Sequence, residues 1–253
     1  MHAGARRAVA PAVLILVATA GCSSGSSPGA APSPTTRGSD APSTTTTTVA
    51  PLTGEPLVVT EQGVSSFPDP FDPTATLGGY GVVLQNPNAK VMATGVRVVT
   101  RVLDADGTEL LEDSALVNAI LPGQRMAVGR TLIEPIDDPT QLEVVVEVSE
   151  WLLPASTDGR LEAVDVVTEA VPDGGSVTTF AVRSTWPEEE EGVDATALYR
   201  GADGQILGAE STTIARVPTD EPVTVQIPLL SPIPDLATTE VFVGRGFAAL
   251  TVG

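Results

Sequence analysis

From Glu55 onward, apolar and polar residues alternate and turn-forming residues recur at short intervals. Val96, Val98, Thr100 and Val102 share one parity, while Arg97, Val99 and Arg101 share the other. That period of two is the pattern of a strand with one buried face. Residues 143–148, Glu-Val-Val-Val-Glu-Val, form a second β-branched run. No long 3.6-residue periodicity is present, and 22 prolines are spread along the chain. Proline in a helix interior removes a backbone donor and clashes with the preceding turn. The pattern predicts an all-β protein of short strands and frequent turns.

The pattern also repeats. Ala105-Asp106-Gly107 returns as Ala202-Asp203-Gly204, 97 positions later (203 − 106). The same offset carries Val96 onto Val193, Ser114 onto Ser211, Val128 onto Val225 and Leu132 onto Leu229. It also carries Pro135-Ile136 onto Pro232-Ile233, Asp138 onto Asp235, and Glu143-Val144 onto Glu240-Val241. A fixed period without gaps marks a duplicated unit. Upstream, residues 58–61 (Val-Val-Thr-Glu) return at 166–169, an offset of 108 (166 − 58), so the first copy has a longer early loop. The expectation is two β-domains, residues 55–152 and 160–253, joined by Pro154 to Arg160. Val98 and Val146 should face the core of the first, and Ala195 and Val243 that of the second.

Copies of about 100 residues built from short alternating strands fit two tandem immunoglobulin-like β-sandwiches. The first copy resembles the FxLYD family of small extracellular bacterial β-sandwich modules. The resemblance rests on residues 81–88 (Gly-Val-Val-Leu-Gln-Asn-Pro-Asn), the strand from Val96 to Asp104, the turn at 105–107 and Leu121-Pro122-Gly123-Gln124. Where the family carries its name motif, this chain has Val102-Leu103-Asp104 and Tyr199-Arg200-Gly201. The resemblance implies a sandwich fold and brings no catalytic residues.

Two segments precede the repeats. Arg6 and Arg7 lead an apolar stretch from Ala8 to Ala20, followed by Gly21, Cys22 and two serines. A basic start, an apolar core and small residues at the end read as a secretory signal peptide, residues 1–21. The stretch is shorter than the roughly 20 residues a bilayer span requires. Thr19-Ala20-Gly21-Cys22 resembles the lipobox of bacterial lipoproteins, with Thr19 where that family prefers Leu or Val. The resemblance implies cleavage before Cys22, lipidation of Cys22 (palmitate among the acyl chains), and anchoring at the outer face of the cytoplasmic membrane. Residues 22–54 are then the lipidated cysteine and a Ser/Thr/Pro-rich linker with an unbroken threonine run from Thr44 to Thr48. Such a composition cannot bury enough apolar surface to offset its ordering entropy. As a flexible coil it would reach roughly 30 Å.

Charge and residue counts narrow the chemistry. The chain carries 13 Lys+Arg against 32 Asp+Glu, a net charge of −19. An acidic surface repels phosphate backbones, so no nucleic-acid partner is expected. It repels anionic headgroups as well, which leaves membrane affinity to the acyl chains on Cys22. Cys22 is the only cysteine, so no intrachain disulfide can form. His2 is the only histidine and lies in the signal peptide. Ser-His and Cys-His nucleophile systems are therefore not expected in the mature chain, nor is a His-containing zinc site. No cofactor, metal or catalytic residue is predicted. Asp104, Asp106 and Gly107 lack the further oxygen ligands of a calcium loop and read as a hairpin turn. Asp138 and Asp235 recur in register, which suits a structural turn better than a catalytic carboxylate.

Residues found in one copy only are the better candidates for a specific role. Phe67 and Phe71 sit in the proline-rich stretch 66–73. Trp186 precedes the acidic run 188–191. Each aromatic either covers an open end of a sandwich or serves as an anchor for an envelope protein or glycan partner. The expected function is a non-enzymatic binding or scaffolding module of the cell envelope. The alternatives are a cell-wall carbohydrate-binding module and a carboxylate-based cell-wall hydrolase.

Overall fold

A computed structural model of the chain describes residues 51–246, apart from 70, 71, 73, 133–135, 137, 173, 230 and 231. Cys22, the linker before residue 51 and Phe71 lie outside the described residues. The first repeat contributes β1 (Val58–Pro68), β2 (Thr76–Gln85), β3 (Met92–Leu103), β4 (Glu109–Ile120), β5 (Arg125–Leu132) and β6 (Gln141–Leu152). The second contributes β7 (Leu161–Ala170), β8 (Ser176–Ser184), β9 (Glu190–Gly201), β10 (Ile206–Val217), β11 (Val223–Leu229) and β12 (Leu236–Gly244).

These strands form four antiparallel sheets, ordered β1-β2-β5, β4-β3-β6, β7-β8-β11 and β10-β9-β12. Each repeat is thus a sandwich of two three-stranded sheets with identical connectivity. Relative to an immunoglobulin domain, the order matches strands A-B-E facing C′-C-F, and no counterpart of strand G is seen among the described residues. The duplication extends to backbone conformation. Gly95 and Gly192 have φ of 57° and 62°, Gly107 and Gly204 of 81° and 84°, and Asp138 and Asp235 of 55° and 56°. All three pairs keep the 97-residue offset. Left-handed φ is unusual for a non-glycine residue, and Asp tolerates it in turns. Asp138 and Asp235 are matched turn residues.

Strand β3 obeys the alternation: Val96, Val98, Thr100 and Val102 are buried, while Arg97 and Arg101 are exposed. Val98, Ala195 and Val243 are buried, and Val146 packs on the first core. Strands β2 and β9 break the alternation. In β2 every residue from Leu77 to Leu84 is buried; in β9 every residue from Ala195 to Tyr199 is. A strand buried on both faces is an inner layer. Sheet β1-β2-β5 of the first repeat lies against sheet β10-β9-β12 of the second, so the two sandwiches stack as four layers. The cluster built on Val82, Val83, Leu84 and Val98 takes in Leu198, Ile206, Ala209 and Phe242 from the second repeat.

Glycine makes the close approach feasible. Gly63, Gly81 and Gly129 stand side by side across β1, β2 and β5. A Cβ at Gly81 would come within 2.5 Å of Leu198 Cδ1 and 2.9 Å of Ile206 Cγ2. A Cβ at Gly79 would fall on the carbonyl oxygen of Leu207. Beside this bare patch, Ser65 Oγ donates to the Leu207 carbonyl at 2.6 Å, and Thr131 N donates to Glu210 Oε1 at 3.2 Å. Charge completes the junction. Arg200 Nη2 lies 2.7 Å from Glu61 Oε2 and 3.2 Å from Glu240 Oε2, while Arg125 pairs with the same two carboxylates. The connection through residues 154–160 expected from sequence is therefore supplemented by a packed, hydrogen-bonded and ion-paired contact between the repeats.

Candidate functional site

The linker between the repeats is pinned at its end. Arg160 N donates to Thr185 Oγ1 at 2.9 Å, and Thr185 N donates back to the Arg160 carbonyl at 3.0 Å. This pairing lays Gly159 on the indole of Trp186, so closely that a Cβ at Gly159 would overlap the ring. The backbone N–H of Trp186 is fixed by Ser184 Oγ at 3.1 Å. The Arg245 guanidinium lies over the indole, 4.1 Å from the ring centroid. Arg245 also grips Glu190 in a bidentate pair, with Nε and Nη2 each 2.8 Å from a carboxylate oxygen. Glu190 is 1% exposed. Burying that carboxylate is tolerable because a planar, two-pronged partner meets it.

The first repeat closes the other side. Its turn at 121–124 is held by Leu121 N donating to Gln124 Oε1 at 2.8 Å and by Gln124 N donating to the Leu121 carbonyl at 3.0 Å. Gln124 Nε2 then reaches across to the Val243 carbonyl at 3.0 Å. Between this turn and the linker lies a cavity of about 220 Å³, lined by Leu121, Pro122, Gln124, Gly159, Trp186 and Arg245 among others. The indole Nε1 of Trp186 is buried and has no hydrogen-bond partner among the described residues. An unmatched buried donor costs free energy of roughly 1–3 kcal/mol. The guanidinium of Arg160, with its side chain 72% exposed, stands at the rim. Arg245 is held by Glu190 and Arg160 stands 3.6 Å from Glu162, so the exposed Arg160 is the more accessible cation of the cavity.

Of the two roles open to the aromatics, the structure shows packing for Trp186 and Phe67. Trp186 is 4% exposed and Phe67 is 6% exposed. Phe67 belongs to β1, which runs on to Pro68, so it is a strand residue and not part of the predicted loop. It stands opposite Leu77, with the parity of Ser65 and Gly63. Both rings serve as packing elements, and Trp186 additionally walls the cavity. The acidic run behaves differently from a solvated loop as well: Glu190 is the buried partner of Arg245, and Glu189 pairs with Arg216. Strand β9 starts at Glu190, which is buried although it stands out of step with the core residues Val193 and Ala195; the left-handed Gly192 (φ 62°) lies between them. Sequence reading overlooked Arg245. Its counterpart at the 97-residue offset is Val148 (245 − 97), so the comparison of copies contained the signal.

At the hairpin, Asp104 Oδ1 accepts the backbone N–H groups of Asp106 (2.9 Å) and Thr108 (2.8 Å). Hydrogen bonds from the Thr108 backbone, followed by weaker neighbours, hold its carboxyl below the ordinary aspartate range. This is a turn-stabilising role.

No family model matches this chain, and no curated protein matches it. Among solved structures, the chain is similar to the exo-chitosanase of Amycolatopsis orientalis at 13% identity and a TM-score of 0.25, covering 65% of this chain and 24% of that one. It is similar to the N-terminal CBM22-1–CBM22-2 tandem domain of Xyn10C from Paenibacillus barcinonensis at 7% identity and a TM-score of 0.18, covering 78% of this chain and 88% of that one. The chain thus spans about a quarter of the chitosanase's length, and neither likeness assigns it a function.

Proposed function

We propose that this chain is a non-catalytic binding module of the cell envelope. Acyl chains on Cys22 hold it at the outer face of the cytoplasmic membrane, and residues 23–54 space it from the lipid. The observation that carries the binding role is a cavity of about 220 Å³ walled by Trp186, with the exposed Arg160 guanidinium at its rim. An aromatic wall suits the apolar face of a sugar ring, and the rim guanidinium favours a ligand bearing carboxylates. A carboxylated glycan segment of the envelope meets both conditions. The matched turn geometry of Asp138 and Asp235 supports the non-enzymatic reading, because it gives those recurrent acids a structural task.

The test is isothermal titration of soluble cell-wall fragments, carboxylated and neutral, against residues 51–253. Trp186→Phe shrinks the aromatic wall, and Arg160→Ala removes the rim cation. The expected result is binding of carboxylated fragments that weakens in both variants. Equal binding by the variants, or none by the wild type at millimolar fragment, would overturn the assignment. For the anchor, mass spectrometry of the mature protein should find a diacyl or triacyl Cys22 at the N-terminus, and Cys22→Ala should release the protein from membranes.

A further inference from the structure

A second cavity, of about 310 Å³, opens between the repeats on a different part of the junction. Strands β4 and β5 supply Leu116, Val117 and Val128; β9 and β10 supply Asp194, Thr196 and Thr213. The volume lies at the lower end of small-ligand sites and equals about ten water volumes. Its two sides differ in character. The first repeat offers aliphatic surface, including Leu116, which is 67% exposed. The second offers a carboxylate and hydroxyls, with Thr196 Oγ1 and Ser211 Oγ 2.9 Å apart.

Asp194 is the distinctive group. Its Oδ2 accepts from Asn118 Nδ2 at 2.7 Å, a bond between the repeats. Among the described residues it forms no ion pair. Other partly or wholly buried acids of the junction are better served. Glu61 and Glu240 have two arginines, Glu190 has Arg245, and Glu210 feels the charge of Arg130. A carboxylate partly withdrawn from water and lacking a countercharge is unfavourable as an anion. Burial pushes its carboxyl above the usual aspartate range, with the hydrogen bonds from Asn118 and Thr213 opposing the shift. The site therefore pairs an uncompensated negative charge with an apolar wall on the facing repeat.

We propose that the cleft between Asp194 and Leu116 binds a small protonated amine carrying an apolar substituent. The ammonium donates to Asp194 and to the hydroxyls of β9 and β10, and the substituent lies on Leu116, Val117 and Val128. The same chemistry is available from a free amine or from a lysine side chain of a peptide. Because both repeats line the cleft, occupancy ties them together and should raise the melting temperature of residues 51–253.

The experiment uses butylamine, its neutral isostere 1-butanol, and N-acetyl-lysine-amide as probes. Binding is read by chemical-shift perturbation of the backbone amides and by thermal shift. The expected result is saturable binding of butylamine, confined to residues of β4, β5, β9 and β10. The alcohol should bind about tenfold or more weakly, as loss of a charge-assisted contact requires. Asp194→Asn should weaken the amine to the level of the alcohol, and Leu116→Ser should weaken both. Asp194 is the titratable side chain among the lining residues, so affinity should also fall on acidification as it takes up a proton. Tighter binding of the lysine derivative would assign the ligand to a protein side chain within the same chemistry. Equal binding of amine and alcohol, undiminished binding to Asp194→Asn in a folded variant, or no site-confined shifts at 10 mM (on the order of the weakest useful affinity) would overturn the proposal.

Discussion

Arg200 of the second repeat donates to Glu61 of the first at 2.7 Å, joining side chains 139 positions apart in sequence. The Arg200 side chain is 16% exposed and that of Glu61 36%. The contact is neither a loose surface pair nor a fully buried one. With Glu240 and Arg125 it forms a ring of alternating charge in which each carboxylate serves both arginines.

Removing one member of that ring should leave its partners short of countercharge. Arg200→Met is expected to lower unfolding free energy by about 1–2 kcal/mol, between the values for exposed and buried pairs. Urea denaturation of Arg200→Met, Glu61→Gln and the double variant would give the coupling. A coupling of zero within error would show that the ring contributes nothing.

The glycine contacts set a ranking. A methyl at Gly79 meets the Leu207 carbonyl, a backbone atom at an irregularity of β10 that already accepts from Ser65 Oγ. A methyl at Gly81 meets the ends of two side chains. Gly79→Ala should therefore destabilise more, by about 3 kcal/mol against about 1 kcal/mol for Gly81→Ala. The opposite order in denaturant midpoints would contradict the layered packing.

Asn86 is wholly buried and fully used. Its Nδ2 donates to the carbonyls of Val91 and Ile120, both at 2.9 Å, and its Oδ1 accepts from Asn88 N at 3.0 Å. Asn86→Ala strands three backbone groups and should cost about 2–4 kcal/mol. Asn86→Asp keeps the shape but sets a carboxylate against two carbonyl oxygens. It should be destabilised at neutral pH and partly recover in acid, a difference that melting curves at pH 7 and pH 4 would register.

Acid should strengthen the junction through two native carboxyls. Burial raises the pKa of Asp194 and of Glu210, with hydrogen bonds and, for Glu210, Arg130 opposing it. Groups with raised folded-state pKa bind protons more readily when folded, so their contribution is fully present below the unfolded pKa. It is lost as pH rises through the folded value. Asp72 and Asp104, lowered by hydrogen bonds to Thr74 and Thr108, act in the opposite sense. Asp194→Asn and Glu210→Gln should flatten the loss of thermal stability between pH 4 and pH 7. An unchanged slope would exclude these two groups as its source.

Trp186→Ala should cost about 3–5 kcal/mol, as for other buried large aromatics. Trp186→Phe should cost clearly less, because Arg245 and Gly159 still meet a ring. Comparable losses would mean that the indole N–H has a partner in solution.

Much of this arrangement could be read from the chain. The parity of Val96, Val98 and Val102 placed β3 correctly, and the 97-residue offset found both repeats. What periodicity could not supply was the second buried face of β2. Residues 78–81, Gly-Gly-Tyr-Gly, offer little apolar signal, yet glycine is what the neighbouring sheet requires there. The partner surface lies more than 100 residues downstream, beyond the reach of any local pattern. Which of its two roles Trp186 takes could not be read from the chain for a related reason. Its cover comes from Gly159 and Arg245, which flank it in space and stand far from it in sequence.

The bond from Ser65 to Leu207 spans 142 positions. At a synthesis rate of roughly 5–20 residues per second, about 7–30 s separate the appearance of its two ends. For the last 55 of those positions (207 − 152), once β6 is made, the first sandwich must hold an unlidded sheet whose glycine row faces water. A nascent chain in this condition has an open flat surface at which another chain can dock, and the acidic excess of the protein supplies repulsion between such neighbours. The timing of emergence, and not only the final contacts, thus bears on whether the two repeats find each other or a stranger.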